Sequence, residues 1–213
     1  METNNVSKRL LARLPNYLNY IKSLPGEATY ISATKIALAL GLGDVLVRKD
    51  LAKVSSGGRR KTGYNREGLI QDIEAFLGFN STVDAVIVGV GKLGQALLDY
   101  TGFQDSGMNI LAGFDIAPVQ GKSLGGKKIY TMDRLKRFCR EKNVRMGIIS
   151  VPADAAQEVC DLLVECGVKA IWSFAPVHLV VPKNVAVHSE NLVASLTALC
   201  VQLKMKEKDG NEL

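Results

Sequence analysis

Residues 83–94 read VDAVIVGVGKLG, and this stretch decides the fold. A short apolar strand runs directly into Gly89-x-Gly91-x-x-Gly94, and the helix-like QALLDY follows. Strand, glycine turn and helix in that order are what a dinucleotide-binding motif requires. Gly89 permits the tight turn, Gly91 lets backbone N–H groups approach a pyrophosphate, and Gly94 lets the helix close on the strand. Val90, Lys92 and Leu93 complete the loop, and the helix N-terminus offers its positive dipole end to phosphate.

A glycine motif alone is weak, so the residues beyond it matter. The run NILAGFD ends in Asp115, 21 residues past Gly94, with Ile116 beside it. An acid there accepts hydrogen bonds from the adenosine ribose and repels a 2′-phosphate, which favours NAD(H) over NADP(H). A surface Asp after an ordinary strand would read the same way. Next come KKIY, the helix MDRLKRFCREK, the strand RMGIISV, the helix ADAAQEVCDLLVEC and the strand VKAIWSF. Apolar strands separated by amphipathic helices predict a doubly wound Rossmann parallel sheet, covered on both faces. Val151 and Pro152 follow one strand and Ser173 and Phe174 end the next, at the edge where open α/β sheets bind ligands. Ser173 and Phe174 read equally well as packing residues. The tail ENLVASLTALCVQLKMK places Leu192, Leu196, Leu199 and Leu203 on one helical face, which suits a dimerisation helix or one folded back on its own domain.

Upstream the chemistry changes. Residues 1–80 carry 12 Lys and Arg against 7 Asp and Glu, whereas residues 81–213 carry 15 against 14, so nearly all of the net +6 lies in the first part. Leu10, Leu11, Leu14, Leu18 and Ile21 recur at helical spacing, with a predicted break at Pro15. Ser32 is placed to cap the helix ATKIALAL, Gly41 to end it, and Asp44 to cap a second helix, VLVRKDLAKV. Two short helices across a tight glycine turn form a helix-turn-helix pattern. Val45, Leu46 and Leu51 are expected to pack inward, leaving Arg48, Lys49 and Lys53 for DNA phosphates. The following SSGGRRKTGY suits a β-hairpin wing with Arg59, Arg60 and Lys61 near its tip and Tyr64 at its end. Thr34 and Lys35 join these as candidate DNA-binding residues. A solvated basic face would show the same charge run.

The expected organisation is α/β overall, a winged helix-turn-helix DNA-binding domain over 1–80 and a Rossmann NAD(H)-binding and dimerisation domain over 81–213. With 47% hydrophobic and 23% charged residues, disorder and fibre are excluded. No apolar run approaches the roughly 18 residues that span a bilayer, and METNNVSKRLLARL lacks a signal-peptide core, so the reading is a soluble cytoplasmic protein without a membrane partner. Cys139, Cys160, Cys166 and Cys200 are read as buried reduced thiols, and His178 and His188 alone give a zinc site poor support.

The sequence resembles the Rex family of redox-sensing transcriptional repressors over nearly its whole length. The matching stretches are RLPNYLNYIKSL, VRKDLAKV with the glycine-rich basic hairpin and GYN, VGVGKLGQALLDYTGF, GFDIAP, VPADAAQEV and FAPVHLVVP. The resemblance implies a homodimer that binds a double-stranded DNA operator through its winged helices and senses the NADH/NAD⁺ ratio through its Rossmann domains, with NADH releasing DNA. It also implies a switch network in which Arg13 and Tyr100 hold two positions. At the third, the family's Asp is replaced by Asn191, followed by Leu192, which deprives Arg13 of that charge partner. The wing also departs from the family's Phe-Gly pattern. Two alternatives share the Rossmann signature: a coenzyme A-binding module and an NAD-dependent oxidoreductase. The second lacks a domain for a substrate pocket, and no catalytic residues are assigned.

Overall fold

The computed structural model describes residues 7–26, 29–117 and 124–210. The chain packs as two units, Met1–Ser81 and Thr82–Leu213.

In the first unit Ser7 caps α1 (Lys8–Ser23), which runs through Pro15 without the predicted break. Proline removes one backbone bond and costs about 3 kcal/mol inside a helix. Leu10, Leu14, Tyr17, Leu18 and Ile21 are all buried on one side of α1, and each such side chain contributes about 1.5–3 kcal/mol. Burial therefore outweighs the proline. Leu11, expected on that face, is 42% exposed. A two-residue strand, β1 (Tyr30–Ile31), leads to α2 (Ala33–Ala39), capped by the Ser32 hydroxyl, which accepts from the Lys35 N–H at 3.1 Å. Gly41, at φ +63°, turns the chain into α3 (Asp44–Val54). Gly43, not Asp44, occupies the cap position, and Asp44 is the first residue of the helix. Val47 and Leu51 face the core, whereas Val45 and Leu46 are 64% and 38% exposed, which corrects the expected inward face. Buried Asp50 supplies the third inward position.

The predicted wing is narrower than a regular hairpin. Arg59 and Gly63 form one bridge, with N–H···O bonds of 2.8 and 2.9 Å, around a turn in which Lys61 has φ +79°. The next residues form β2 (Tyr64–Asn65), antiparallel to β1. Asn65 caps α4 (Arg66–Leu77), which ends at left-handed Gly78.

The second unit holds six parallel strands: β3 (Val83–Val88), β4 (Met108–Asp115), β5 (Lys128–Thr131), β6 (Met146–Ile149), β7 (Ala170–Ser173) and β8 (Ala186–Ser189). Their spatial order is β5-β4-β3-β6-β7-β8. The chain builds outward from β3 in one direction, crosses back, and builds outward again from β6, so a switch point lies between β3 and β6. Helices α5 (Lys92–Asp99), α6 (Leu135–Glu141) and α7 (Ala156–Glu165) provide the crossovers. Alternation along β3 divides the core: Val86 and Val88 pack with Leu135, Cys139, Cys160 and Leu163. Ala85 and Ile87 pack with Leu98 and Ile110 on the other face. The predicted helix from Met132 opens as a 3₁₀ turn and becomes α-helical only at Leu135. Strand β8, absent from the sequence reading, pairs with β7 in register from Ala170↔Ala186 to Ser173↔Ser189. Its short AVHS run, half-buried at best, carries little periodic signal.

The chain closes with α8 (Leu192–Gly210). Asn191 caps it, its side-chain oxygen accepting from the Ala194 N–H at 2.8 Å. Leu192, Val193, Leu196, Leu199, Leu203 and Met205 are each more than half exposed. No helix among the described residues is long and apolar enough to cross a membrane.

Candidate nucleotide cleft and nucleic-acid interface

The ends of β3, β4, β6 and β7 surround a cleft of about 530 Å³ at the switch point, within the usual size range of small-molecule sites. Gly89 adopts φ +90°, where a side chain would strike the Ser150 carbonyl and the Val151 side chain. At Gly94 a Cβ would collide with the Gly89 carbonyl, so the first turn of α5 rests directly on the loop. Gly91 is the opposite case. Nothing lies within 4 Å of where its Cβ would be, and it lines the open cleft. Only an occupant of the cleft would meet a side chain there.

Asp115, at the end of β4, does more than border this space. Its Oδ2 accepts from the Val90 N–H at 2.6 Å and its Oδ1 from the Ala117 N–H at 2.9 Å. One carboxylate thus ties the glycine loop to the neighbouring strand while lining the cleft. Of the residues singled out in the sequence, Gly89, Gly91, Lys92, Leu93, Asp115, Ile116, Val151, Pro152 and Phe174 meet here. Three do not line it. Val90 is 7% exposed with its side chain over Gly113, and Gly94 lies beneath the loop. Ser173, expected at the crevice, is fully buried, with its hydroxyl accepting from the Ala175 N–H at 3.3 Å.

Sequence reading missed Ser150. Its hydroxyl donates to the Gly89 carbonyl at 2.6 Å and lines the cleft, bracing the loop from the β6 side. Met132, Ala155 and Val159 also line it. The signal for Ser150 was its place just before Val151, at a strand's carboxyl end.

Beyond the cleft, Tyr100 is 57% exposed and packs edge-on against Phe103 at 4.8 Å. Trp172 bridges Phe103 to Phe174 and donates from its indole N–H to Glu190 at 3.1 Å, one residue before Asn191. Cys139, Cys160 and Cys166 are buried, but Cys200, expected inside, is exposed. Burial, with Cys166 beside it, pushes the Cys139 thiol up to about 12.

In the first unit, Thr34, Arg48, Arg59, Arg60, Lys61 and Tyr64 line a second, polar cleft of about 460 Å³ between α2, α3 and the wing. Thr34 donates to Asp44 at 2.8 Å, and Arg48 pairs with Asp44 at 2.9 Å. Both contacts are exposed, and such pairs contribute little stability, so Arg48 is free to exchange them for a phosphate. Lys35, Lys49 and Lys53 are exposed outside that cleft. The Tyr64 ring supports the wing backbone at Gly58, and burial raises its hydroxyl pKa. Arg66, one of the bases in the charged stretch, is spent elsewhere: its guanidinium donates to the carbonyls of Ile21, Lys22, Leu24 and Pro25 at 2.7–3.2 Å, capping the end of α1. Arg13 is not left without an acid. It forms a two-pronged pair with buried Asp50 on α3, at 2.7 and 2.9 Å.

The comparisons accord with two functional halves. Residues 5–52 match a family described as "Putative DNA-binding protein N-terminus", and residues 80–177 match "CoA binding domain". The redox-sensing transcriptional repressor Rex of Porphyromonas gingivalis is 37% identical over 201 residues, spanning 93% of this chain and 92% of that protein. That of Treponema denticola is 38% identical over 197 residues, spanning 92% and 94%. Among solved structures, RSP bound to β-NAD⁺ and operator DNA superposes with a TM-score of 0.89 at 32% identity, covering 98% of this chain and 97% of that one. RSP bound to β-NADH gives 0.86 at 31% identity over the full length of both.

Proposed function

The chain belongs to the Rex family of redox-sensing transcriptional repressors, and from that premise we propose how its own residues divide the work. It is a DNA-binding repressor that senses the NADH/NAD⁺ ratio, NADH weakening its hold on the operator. The observation that carries this is one chain holding both a glycine-turn cleft, closed by Asp115, and a separate basic unit of α2, α3 and wing. Such a chain acts as a regulator rather than an enzyme, and its DNA partner places it in the cytoplasm.

The cleft's residues fit a dinucleotide. Gly91, open above its backbone, and the N-terminus of α5 receive the pyrophosphate. Asp115 accepts from the adenosine ribose while holding the Val90 N–H, and Val151, Pro152 and Phe174 supply apolar walls toward the nicotinamide end. The bound nucleotide supplies a change of charge and shape at its nicotinamide ring, and no turnover is needed.

In the first unit, α3 enters the major groove. Arg48, Lys49 and Lys53 engage DNA with Thr34 and Lys35, while Arg59, Arg60 and Lys61 follow the backbone or minor groove beside Tyr64. The apolar face of α8 joins two copies, so two such units meet a two-fold operator. NADH and DNA then favour different states of one dimer, and each weakens the other by the same factor.

Titrating NADH and NAD⁺ into an operator-bound sample tests this. NADH should release DNA at lower concentration than NAD⁺; unchanged DNA affinity at saturating NADH would reject it. The match to a coenzyme A-binding family model supports a second reading. Coenzyme A carries a phosphate on its adenosine ribose, which Asp115 would repel. Calorimetry with NADH, NAD⁺ and coenzyme A separates the two.

A further inference from the structure

Asp50 is 4% exposed and sits on α3 among the bases assigned to DNA, yet it points the other way, into the core of the first unit. Arg13 Nε donates to its Oδ2 at 2.7 Å and Arg13 Nη2 to its Oδ1 at 2.9 Å. The Tyr17 hydroxyl donates to Oδ2 at 2.9 Å. Arg13 and Tyr17 stand one turn apart on α1, so one helix grips the other at a single carboxylate.

Stability alone does not explain this arrangement. Buried ion pairs are often no more stabilising than apolar residues of the same volume, because desolvation offsets the attraction. The surrounding core is already apolar, with Leu14, Leu18, Val47 and Leu51 packed together. What apolar contacts do not supply is direction. A planar guanidinium fork meets a planar carboxylate in a narrow range of orientations, and the phenol adds a third bond. Together they define the roll of α3 about its own axis. With 3.6 residues per turn, a small roll carries Arg48, Lys49 and Lys53 sideways relative to any base edge they face.

We propose that Arg13 and Tyr17 are positioning residues for α3, setting its roll through Asp50 and thereby its discrimination between operator and other DNA. This rests on the reading of α3 as the helix that enters the groove. Phosphate contacts tolerate a shifted helix, because every duplex carries the same backbone charge. Base-edge contacts do not. Losing the clamp therefore lowers the ratio of operator to non-specific affinity rather than DNA binding in general.

The test uses the full chain and fluorescence anisotropy, with an operator duplex selected by the wild-type protein from a random pool and a scrambled duplex of equal length. Tyr17→Phe removes one hydrogen bond and preserves core volume, so it should weaken operator binding roughly three- to tenfold and leave scrambled-duplex affinity within about twofold. Asp50→Asn should lose more. Arg13→Lys keeps the charge but not the fork, and should behave like a loss rather than a rescue. NADH affinity, read separately by nucleotide fluorescence, should match wild type in all three. Equal losses on both duplexes, a wild-type ratio in Tyr17→Phe, or full rescue by lysine would each overturn the proposal. If Asp50→Asn does not fold, Tyr17→Phe decides. A wild-type chain that selects no sequence would instead defeat the DNA-binding reading itself, a result distinct from an unchanged variant.

Discussion

Replacing Asp115 should cost nucleotide affinity by two routes that the structure separates. Its Oδ2 anchors the Val90 N–H at 2.6 Å and its Oδ1 the Ala117 N–H at 2.9 Å, so Asp115→Ala frees both donors and loosens the glycine loop before any nucleotide arrives. Leaving a buried N–H without a partner costs about 1–3 kcal/mol, and hydrogen bonds from ribose hydroxyls to a carboxylate contribute about 1.5–3 kcal/mol. Even the low ends together reach about 2.5 kcal/mol, or roughly sixtyfold in NADH affinity. Asp115→Asn is the more telling variant. It keeps one oxygen acceptor for the loop but loses the charge, so NADH should weaken only about tenfold, while NADPH, no longer repelled at its 2′-phosphate, should gain on it. Calorimetry with both nucleotides measures each quantity, and operator affinity without nucleotide provides the control. An asparagine variant that binds NADH within about twofold of wild type and still rejects NADPH would refute both the ribose assignment and the loop anchor.

Two glycines should fail differently. Gly94→Ala must collide with the Gly89 carbonyl and should lower the melting temperature along with NADH binding. Gly91→Ala meets only open space, so it should melt like wild type yet bind NADH more than about tenfold more weakly; normal binding would move the pyrophosphate elsewhere. Arg59→Gln and Arg60→Gln should each reduce the salt slope of DNA binding by about one unit per lost phosphate contact. Arg66→Gln should instead lower thermal stability and leave the slope alone, because its guanidinium is occupied by four carbonyls. Burial and the neighbouring Asp50 carboxylate push the Tyr17 hydroxyl up from 10.0 to about 12. Its contribution to the first unit is therefore complete below pH 10 and lost as pH rises toward 12, and circular dichroism across that window should show alkaline unfolding that Tyr17→Phe reduces.

Periodicity and spacing carried the architecture far. The glycine turn after VDAVIV, the acid 21 residues on, and the alternation of strands and helices define a doubly wound sheet because each is local, a property of a few neighbouring residues. The basic helix and wing were legible for the same reason, since charge clustering needs no partner to be seen. Errors arose where a distant contact outweighed a local rule. Pro15 signals a break, but buried leucines on both sides of it hold α1 straight. Val45 and Leu46 are apolar yet exposed, while charged Asp50 turns inward, because Arg13 and Tyr17 wait for it across the core.

By itself, then, the sequence determined that this chain carries a nucleotide-binding sheet and a basic DNA-directed unit. Tertiary structure alone decided that Asp115 holds the glycine loop as well as facing the cleft, that Ser150 braces the same loop, and that Arg66 caps a helix instead of meeting phosphate. It also decided that Arg13, deprived of one acid at Asn191, has another in Asp50. All four depend on polar side chains from segments far apart in the chain, whose hydrogen bonds leave no periodic trace in the sequence and exist only once packing has brought donor and acceptor within 3.2 Å.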